Sequence, residues 1–482
     1  MSYKENPHSL NISNNDLQPF KDIKFWAYNS KTKKYSLLPA EFQDWLESNN
    51  FYKHGNLIIK IDNSIATVYT PIEVYNFALK YIKTQKNTAL RSAYLTQADT
   101  LLLKNKGILA SLQSLEISPA KDTKTESYIF FKNVFCKITK EGFTPFNYNR
   151  IKEVLKGRFI FKSKIIDKSF DINADFKEAQ FYEFLQLSTN GKEHLLNVLC
   201  TKGYLLHNYK NPSNAKAIVI SDIDSQATNT AQGRSGKGIL IQALSEILEV
   251  IEYNGKNLDL SKDKFVYQSI IPLITQLFVL QDVQQNFDFE ALFSIITDKM
   301  NLERKHKEKQ ILSFEDSPKI ALTTNYTIPD NGGSFTDRKH LLLLNNHFNS
   351  SNKPENHFGN LFFLEWNESE YSRFFALMIH CIEMFLKHGL VKYNSPELQL
   401  QKLENETNKH FVEVMETEFN MLNSYYNLKD IAAKMGAEIN SEDDRVKSRI
   451  TSKWVESWAS FKGYKIDKRT SGGITKLCFS TK

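Results

Sequence analysis

The sequence predicts an α/β protein, and the segment from residue 218 to residue 248 is the main reason. The apolar strand Ile218–Ile220 precedes a glycine-rich loop, Ala231–Gly238, and an apolar helix over Ile239–Leu248 follows it. Two further strand-like runs follow, 277–280, which ends at Gln281-Asp282, and 319–325, which ends in the polar Asn325.

The chain is long enough for several domains. It has 482 residues, of which 41% are hydrophobic and 12% aromatic, which suffices for well-filled cores. We predict a mixed α/β module over 1–175, an α/β core over 176–348, a helical region over 349–427 and a basic winged-helix-like domain over 428–482.

Composition also limits the location of the protein. The four cysteines, Cys136, Cys200, Cys381 and Cys478, form no C-x-x-C pair, which favours a reducing compartment and argues against a cysteine-based zinc site. We find no apolar run long enough for a signal peptide or a membrane span. We therefore expect a soluble, cytoplasmic protein with no membrane partner.

The first 175 residues alternate short strands and helices. The pattern predicts helices over 41–46 and 72–82, and strand pairs at 57–61 with 66–69 and at 128–131 with 133–138. Asp22, Asp62 and Asp122 are isolated carboxylates, whereas a polymerase-type metal site needs paired acids. We therefore identify no primase or nuclease centre in this module.

The glycine-rich loop is the first candidate site. Backbone N–H groups of such a loop and the positive end of the following helix bind phosphates, and a lysine reaches the β and γ oxygens. We expect Lys237 to be that lysine, in a triphosphate site made of Gly233, Arg234, Ser235, Gly236, Lys237 and Gly238. Ala231 replaces the usual first glycine, and Gly238 the usual magnesium-binding hydroxyl. An ordinary Gly/Ser surface loop is the alternative.

Three more positions complete a candidate ATP and Mg²⁺ site. Asp282 ends the strand 277–280 where an acid that holds magnesium and polarises water belongs, although Gln281 stands where a second acid is usual. Asn325 ends the next strand and could orient water against the γ-phosphate. Arg338 is a candidate arginine finger for the nucleotide of a neighbouring subunit.

Each of these residues also has a structural interpretation. Asp282 could cap the helix predicted over 287–296, Asn325 could belong to a turn and Arg338 could be a surface charge. All four features in the order loop, acid, asparagine and arginine are much less likely to occur together by chance than any one of them alone. Their joint occurrence therefore favours the nucleotide site.

Two segments are candidates for DNA binding. A hairpin predicted around residues 302–314 carries cations at its tip, and such a tip can grip phosphates without reading sequence; a solvated hairpin is the alternative. These cations are Arg304, Lys305, His306, Lys307 and Lys309.

The second segment is the carboxyl-terminal region. Residues 445–482 hold ten Lys/Arg against two acids, a local charge of +8 in a chain of net charge +7, which indicates a polyanion partner or a solvated basic face. The order predicted over 428–482, two helices followed by a pair of strands, is the layout of a winged helix. Its second helix would carry Arg445, Lys447, Arg449 and Lys453, and its wing Lys468 and Arg469. Upstream, we predict helices over 358–391 and 398–426.

The order and content of these segments resemble superfamily 3 helicases, a compact AAA+ branch, and in particular phage and Bacteroidetes mobile-element primase-helicases. The residues that carry the resemblance are Gly236-Lys-Gly238, Gln281–Glu290, Ser317-Pro-Lys-Ile320, Thr323-Thr-Asn325 and Arg338-Lys339.

The resemblance implies a ring-shaped oligomer, a hexamer, around single-stranded or forked DNA, with nucleotide between subunits and a separate primase as a further partner. It also implies that the hairpin with Lys305 and His306 points into the channel. Gly238 and Gln281 depart from the family pattern.

Two functions follow. One is an ATP-dependent DNA helicase or translocase in the replication of a phage or mobile element. The other is a DNA-binding or loading module that keeps the nucleotide fold and hydrolyses ATP weakly. A small-molecule kinase would need an acceptor site, and we find none in the sequence.

Overall fold

The structure is a computed structural model that describes residues 23–223, 235–260, 262–263, 265–284, 287–305, 309–326, 328, 333–394, 396–435, 439, 443–471 and 474–481. The strands, in chain order, are β1 Trp26–Asn29, β2 Lys34–Leu37, β3 Phe51–His54, β4 Leu57–Asp62, β5 Ile65–Tyr69, β6 Ser127–Phe131, β7 Phe135–Thr139, β8 Gly142–Phe146, β9 Ile160–Phe161, β10 Ile165–Ile166, β11 Ala217–Asp222, β12 Val250–Asn254, β13 Leu277–Val283, β14 Met300–Leu302, β15 Gln310–Leu312, β16 Lys319–Thr324, β17 Lys339–Leu344, β18 Tyr425–Asn427, β19 Tyr464–Ser471 and β20 Ile474–Thr481.

The α-helices are α1 Pro39–Ser48, α2 Pro71–Thr84, α3 Thr88–Ala98, α4 Gly107–Ser111, α5 Ile151–Val154, α6 Gln180–Leu187, α7 Lys192–Leu206, α8 Lys237–Ser245, α9 Phe293–Thr297, α10 Gly333–Arg338, α11 Pro354–Phe358, α12 Glu368–His388, α13 Pro396–Glu406, α14 Lys409–Glu418, α15 Leu428–Lys434 and α16 Asp444–Phe461. Together with the parallel sheet below, they confirm the predicted α/β class.

A five-stranded sheet forms the centre of the fold, in the order β12-β13-β16-β11-β17, and every neighbouring pair is parallel. Alternate residues enter two cores on opposite faces: Ile218 and Ile220 face one, and Ala217 and Val219 face the other. Burial on both faces explains the continuous apolar runs of these strands.

Strands β11 and β16 are neighbours, but the chain leaves them for opposite edges of the sheet. From β11 it continues to β12 at one edge, and from β16 to β17 at the other. In open α/β sheets, ligands bind outside the carboxyl ends of the strands at such a switch point.

The predicted helix over 358–391 begins later than expected. Helix α11 ends at Gly359, which has a φ of +71°, and α12 starts only after Asn367. The Asn367 side chain accepts a hydrogen bond from the Glu370 N–H (2.9 Å), so a capping asparagine sets the start. Likewise, the predicted helix over 398–426 is two helices, because Asn408 caps α14, and Tyr425–Asn427 is a strand.

Residues 349–427 do not form a core of their own. Side chains of α12 pack into the core of the central sheet, with Phe375 against Phe131 of β6 at a centroid distance of 4.9 Å. Side chains of α13 and α14, such as Leu403 and Phe411, pack with Trp458 in the carboxyl-terminal core.

The amino-terminal 175 residues are similarly divided. One aromatic core around Trp45 lies within residues 23–112. Side chains of β6 and β7, including Phe131 and Ile138, instead join the core of the central sheet. The predicted strand pairs 57–69 and 128–138 are antiparallel, as β4 with β5 and β6 with β7.

The carboxyl-terminal segment has the predicted order of two helices and a strand pair. Strands β19 and β20 pair antiparallel from Tyr464–Thr481 to Ser471–Ile474, and β18 adds a third strand against β20. Helices α15 and α16 pack on this sheet through Ile431, Val455 and Trp458. None of the helices in the described ranges has the length and apolar character that a membrane crossing needs.

Candidate nucleotide site

The candidate site is a cavity of about 740 Å³ at the carboxyl edge of the central sheet. The sheet edge contributes the start of α8, the end of β13 and the end of β16, and residues 353–364 close the opposite wall. The lining includes Ser235, Gly236, Lys237, Gly238, Gln281, Asp282, Thr323 and Asn325. Residues from three separate parts of the sequence therefore meet where parallel-sheet proteins bind ligands.

Gly236 sets the geometry at the start of α8. Its φ of +100° is left-handed, and a Cβ at this position would lie 2.6 Å from Cζ of Phe184. Helix α8 has no side-chain N-cap hydrogen bond. The first N–H groups of a helix have no partner within the helix, and a glycine at the N-cap offers them no side-chain acceptor, so they can bind an anion.

Lys237 is buried and paired with a carboxylate. Its Nζ lies 2.5 Å from Oδ2 of Asp222, and the two side chains are 10% and 5% exposed. Lys237 Nζ also donates to Ser235 Oγ at 3.3 Å. Asp222 ends β11, directly before the loop, and this position is the signal by which sequence analysis could have found it.

Asp282 lies in a bulge of β13. The register with β16 shifts between Leu280 and Val283, and Asp282 has a left-handed φ of +54°. Its N–H donates to Thr323 Oγ1 at 2.9 Å, while its side chain is exposed. Because of the bulge, the backbone at Asp282 runs in a different direction from that of a regular strand.

The neighbouring Gln281 is held on both sides. Its Nε2 donates to Glu252 Oε2 at 2.8 Å, and its Oε1 accepts from Thr323 Oγ1 at 2.8 Å. Thr323 thus fixes both Gln281 and the backbone of Asp282. It has this role through contacts with β13, which sequence analysis did not identify.

Asn325 lines the same cavity, and its Oδ1 is buried without a hydrogen-bond partner among the described residues. Arg338 does not line the cavity. Its guanidinium lies 4.8 Å from the ring centroid of Phe293, and Nη1 donates to the Ser334 carbonyl at 3.2 Å. The structure therefore brings together Lys237, Asp282 and Asn325, but not Arg338.

Two carboxylates line this cavity: Asp282 from β13, and Glu355 from the opposite wall, which pairs with Lys353 at 3.2 Å. Across the described ranges, no three His, Cys, Asp or Glu side chains gather in a way that could hold a metal ion. Gly238 adds no hydroxyl. Any magnesium here would therefore take most of its ligands from water and phosphate, a pattern that this ion accepts.

The predicted hairpin is formed by β14 and β15, but Arg304 is not free at its tip. The guanidinium donates to the carbonyls of Gln268 (3.1 Å) and Ile270 (2.5 Å) and to Gln310 Oε1 (3.1 Å). Arg304 is therefore a structural residue in this arrangement, a contact that its place in the sequence did not predict.

The remaining hairpin cations differ from one another. Lys305 is exposed, and Lys309 lies 3.9 Å from Glu303. His306 and Lys307 of the predicted tip, and Gly233 and Arg234 of the predicted loop, lie outside the described residues.

The predicted DNA-binding residues of α16 and the wing also differ. Arg445, Arg449 and Lys453 are exposed at intervals of four, on one face of α16, and Lys447 is half-buried. In the wing, Lys468 pairs with Glu456, and Arg469 pairs with Asp467 at 3.0 Å. Among the six predicted residues, the exposed cations without an ion pair in the described part of the chain are therefore the three on the helix.

No family model matches this sequence, and no curated protein matches it. Among solved structures, the A form apo structure of the NrS-1 C-terminal region is similar with a TM-score of 0.32 and 11% identity, over 74% of this chain and 97% of that one. A TM-score this low does not assign a fold.

Proposed function

We propose that this chain is an ATP hydrolase with a P-loop core of the AAA+ type, which acts on DNA as a superfamily 3-like helicase or translocase. The observation that carries the proposal is the shared cavity of Lys237, Asp282 and Asn325 at the switch point of the parallel sheet. A phosphate-binding loop, an acid and a polar strand end are the parts that phosphoryl transfer to water requires.

Each residue has a role in this proposal. Lys237 binds the β and γ phosphates, either by giving up its ion pair with Asp222 or while keeping it. The first N–H groups of α8 bind the same phosphates. Asp282 holds the hydrated magnesium and the attacking water, and Asn325 orients that water. Bound magnesium supplies charge neutralisation on the phosphates. Leu361 and Leu364, 42% and 76% exposed beside the cavity, offer apolar surface to the base.

Energy from hydrolysis would act on DNA through the cations outside the cavity. We propose that the exposed face of α16 (Arg445, Arg449 and Lys453) and the hairpin residue Lys305 bind the phosphate backbone. In this proposal the chain is a ring-shaped oligomer, with Arg338 facing the nucleotide of a neighbouring subunit. The partners are single-stranded or forked DNA and a separate primase.

A separate observation favours the second function, a DNA-binding or loading module. Gln281 is tied to Glu252 and Thr323, and Gly238 offers no hydroxyl, so the magnesium site has few protein ligands. Weak hydrolysis in a DNA-binding or loading module would fit this arrangement.

The two functions are separated by measuring ATP hydrolysis with and without single-stranded DNA. We expect the rate to rise with DNA in the wild type and to fall at least about a hundredfold in Lys237→Ala and Asp282→Asn. DNA binding should persist in both variants, because neither change touches α16. DNA binding with no hydrolysis above the level of the variants would reject the motor and leave the binding module.

A further inference from the structure

A second cavity, of about 640 Å³, lies at the opposite, amino-terminal edge of the central sheet. Its walls come from residues 117–130, from Arg158 and Lys164, and from the segments that precede β13 and β16. The cavity therefore lies between these residues of the amino-terminal module and the amino ends of the strands, and it shares no lining residue with the Lys237 cavity. Its volume is within the range of small-molecule sites.

Positive charge dominates this lining. Six cations line the cavity against three acids: Lys121, Lys124, Arg158, Lys164, Lys210 and Lys319 against Asp122, Glu315 and Asp316. Two of the acids are already used. Lys121 Nζ lies 2.5 Å from Asp316 Oδ1, and Asp122 accepts hydrogen bonds from Ser127 Oγ, Tyr128 N–H and Asn208 N–H at 2.7 to 3.0 Å.

The other cations have no carboxylate partner within 4.0 Å in the described part of the chain. Lys210 donates to Ser317 Oγ at 2.6 Å, and Lys319 donates to the carbonyls of Tyr204 and His207 at the end of α7. Arg158 and Lys164 have neither an ion pair nor a side-chain hydrogen bond there. Lys319 is buried and Lys164 and Lys210 are half-buried, whereas Arg158 is exposed. A cation that is buried without a carboxylate partner costs free energy, which a bound anion offsets.

Burial of the lysines also favours a bound anion. It lowers the pKa of Lys319 to about 7 and that of Lys210 to about 8, and it lowers the pKa of Lys164 as well. A bound anion would restore their charged forms, because an opposite charge nearby favours ionisation.

We propose that this cavity binds a phosphate-bearing small molecule of mononucleotide size, with Arg158 and Lys164 as its direct cationic contacts. Several cations around one cavity suit the multiple charges of a di- or triphosphate better than a single carboxylate, and a guanidinium binds phosphate through two parallel hydrogen bonds. Tyr128 and Tyr209, which also line the cavity, offer aromatic surface to a base.

The test must separate this cavity from the Lys237 cavity, so its readout is local. We would follow backbone hydrogen exchange in residues 117–124 and 315–319 while titrating ADP or inorganic pyrophosphate. Either probe should slow exchange in both segments of the wild type. The double variant Arg158→Gln/Lys164→Met should need at least about tenfold more probe, because two charge-assisted contacts are lost.

Lys162→Gln is the matched control, since Lys162 is exposed on the same turn as Lys164 and does not line the cavity. It should leave the titration unchanged. If the double variant does not fold, Lys124→Glu takes its place, because Lys124 is exposed and lines the cavity.

Absence of slowing in residues 117–124 and 315–319 at millimolar probe, or equal titrations in the wild type and the charge variant, would overturn the proposal. Exchange in residues 236–245 reports the Lys237 cavity separately, so failure of one site does not imply failure of the other.

Discussion

Lys237 Nζ lies 2.5 Å from Oδ2 of Asp222, so the lysine of the glycine-rich loop is held by the strand that precedes the loop. A buried ammonium–carboxylate pair is stable only while both partners are present. For Lys237 to bind phosphate, the incoming oxygens must compete with or join Asp222.

We therefore expect Asp222→Asn to tighten ATP binding about tenfold, because the phosphate no longer competes with a carboxylate. The same change should lower the free energy of unfolding without nucleotide by about 3 kcal/mol, since it leaves a buried charge unpaired. Nucleotide titration and urea unfolding measure the two effects. Asp288→Asn, at an exposed carboxylate, should change neither. Weaker ATP binding in Asp222→Asn would contradict this role of Asp222.

Gly238 offers a gain-of-function prediction. Among the described residues, no heavy atom lies within 4 Å of a Cβ built at this position, and its φ is ordinary, so a side chain fits. Gly238→Ser should supply the missing hydroxyl ligand, lower the magnesium concentration needed for half-maximal hydrolysis by about threefold or more, and raise the rate. Hydrolysis is measured across a magnesium titration.

Gly238→Ala is the control for Gly238→Ser, because it changes the backbone and helix propensity in the same direction without adding a hydroxyl. Equal magnesium dependence in the two variants would show that position 238 does not contact the ion.

The packing of α7 against α12 depends on Gly203. A Cβ here would lie 2.0 Å from the carbonyl oxygen of Cys381, which is backbone and cannot rotate away. Gly203→Ala should lower the free energy of unfolding by about 2–3 kcal/mol, despite the gain in helix propensity. Gly107→Ala in α4 meets no atom within 4 Å and should be neutral or stabilising in the same urea unfolding experiment. Equal effects of the two substitutions would contradict the close helix contact.

His340 should make the fold sensitive to acid. Burial, with Lys216 and Lys392 nearby, lowers the pKa of His340 to about 4, and its Nε2 lies 2.9 Å from Thr201 Oγ1. The unfolded chain, with a histidine pKa near about 6.5, binds the proton first as pH falls, so stability is lost between about pH 6.5 and pH 4. The loss from this group amounts to ~3 kcal/mol.

Urea unfolding of the wild type and His340→Gln at pH 7 and pH 4.5 checks this prediction. The variant should lose less stability on acidification than the wild type. Burial also lowers the pKa of His207, so part of the acid sensitivity should remain in the variant. Identical losses in the two proteins would show that His340 does not titrate as proposed.

Local sequence determined much of the secondary structure. Apolar runs such as Ile218–Ile220 and 277–280 are strands because a sheet covered on both faces needs continuous apolar residues. Asn367 and Asn408 show the limit of this reasoning, because each interrupts an apolar helical pattern by capping a new helix. Both asparagines could be recognised in the sequence as helix caps, but the spacing of apolar residues alone does not reveal them.

The chain order of loop, acid and asparagine predicted that Lys237, Asp282 and Asn325 belong to one site. In the structure all three line one cavity, because the carboxyl ends of parallel strands share an edge. Contacts between distant segments were not predictable in this way. Examples are the ion pair of Lys237 with Asp222, the hydrogen bond from Thr323 to Gln281 and the hydrogen bonds that hold Arg304. These contacts depend on strand register and on loops that meet only in the folded chain.

The cationic cavity is the clearest case of a tertiary decision. Arg158 and Lys164, Lys210, and Lys319 come from three separate segments of the sequence, where none of them differs from a solvated surface residue. The fold brings them together because the amino-terminal module packs against the amino ends of the strands. Sequence alone therefore determined most of the elements and the residues of the proposed nucleotide site, whereas three-dimensional packing decided which charges are paired, which are buried and which have no carboxylate partner among the described residues.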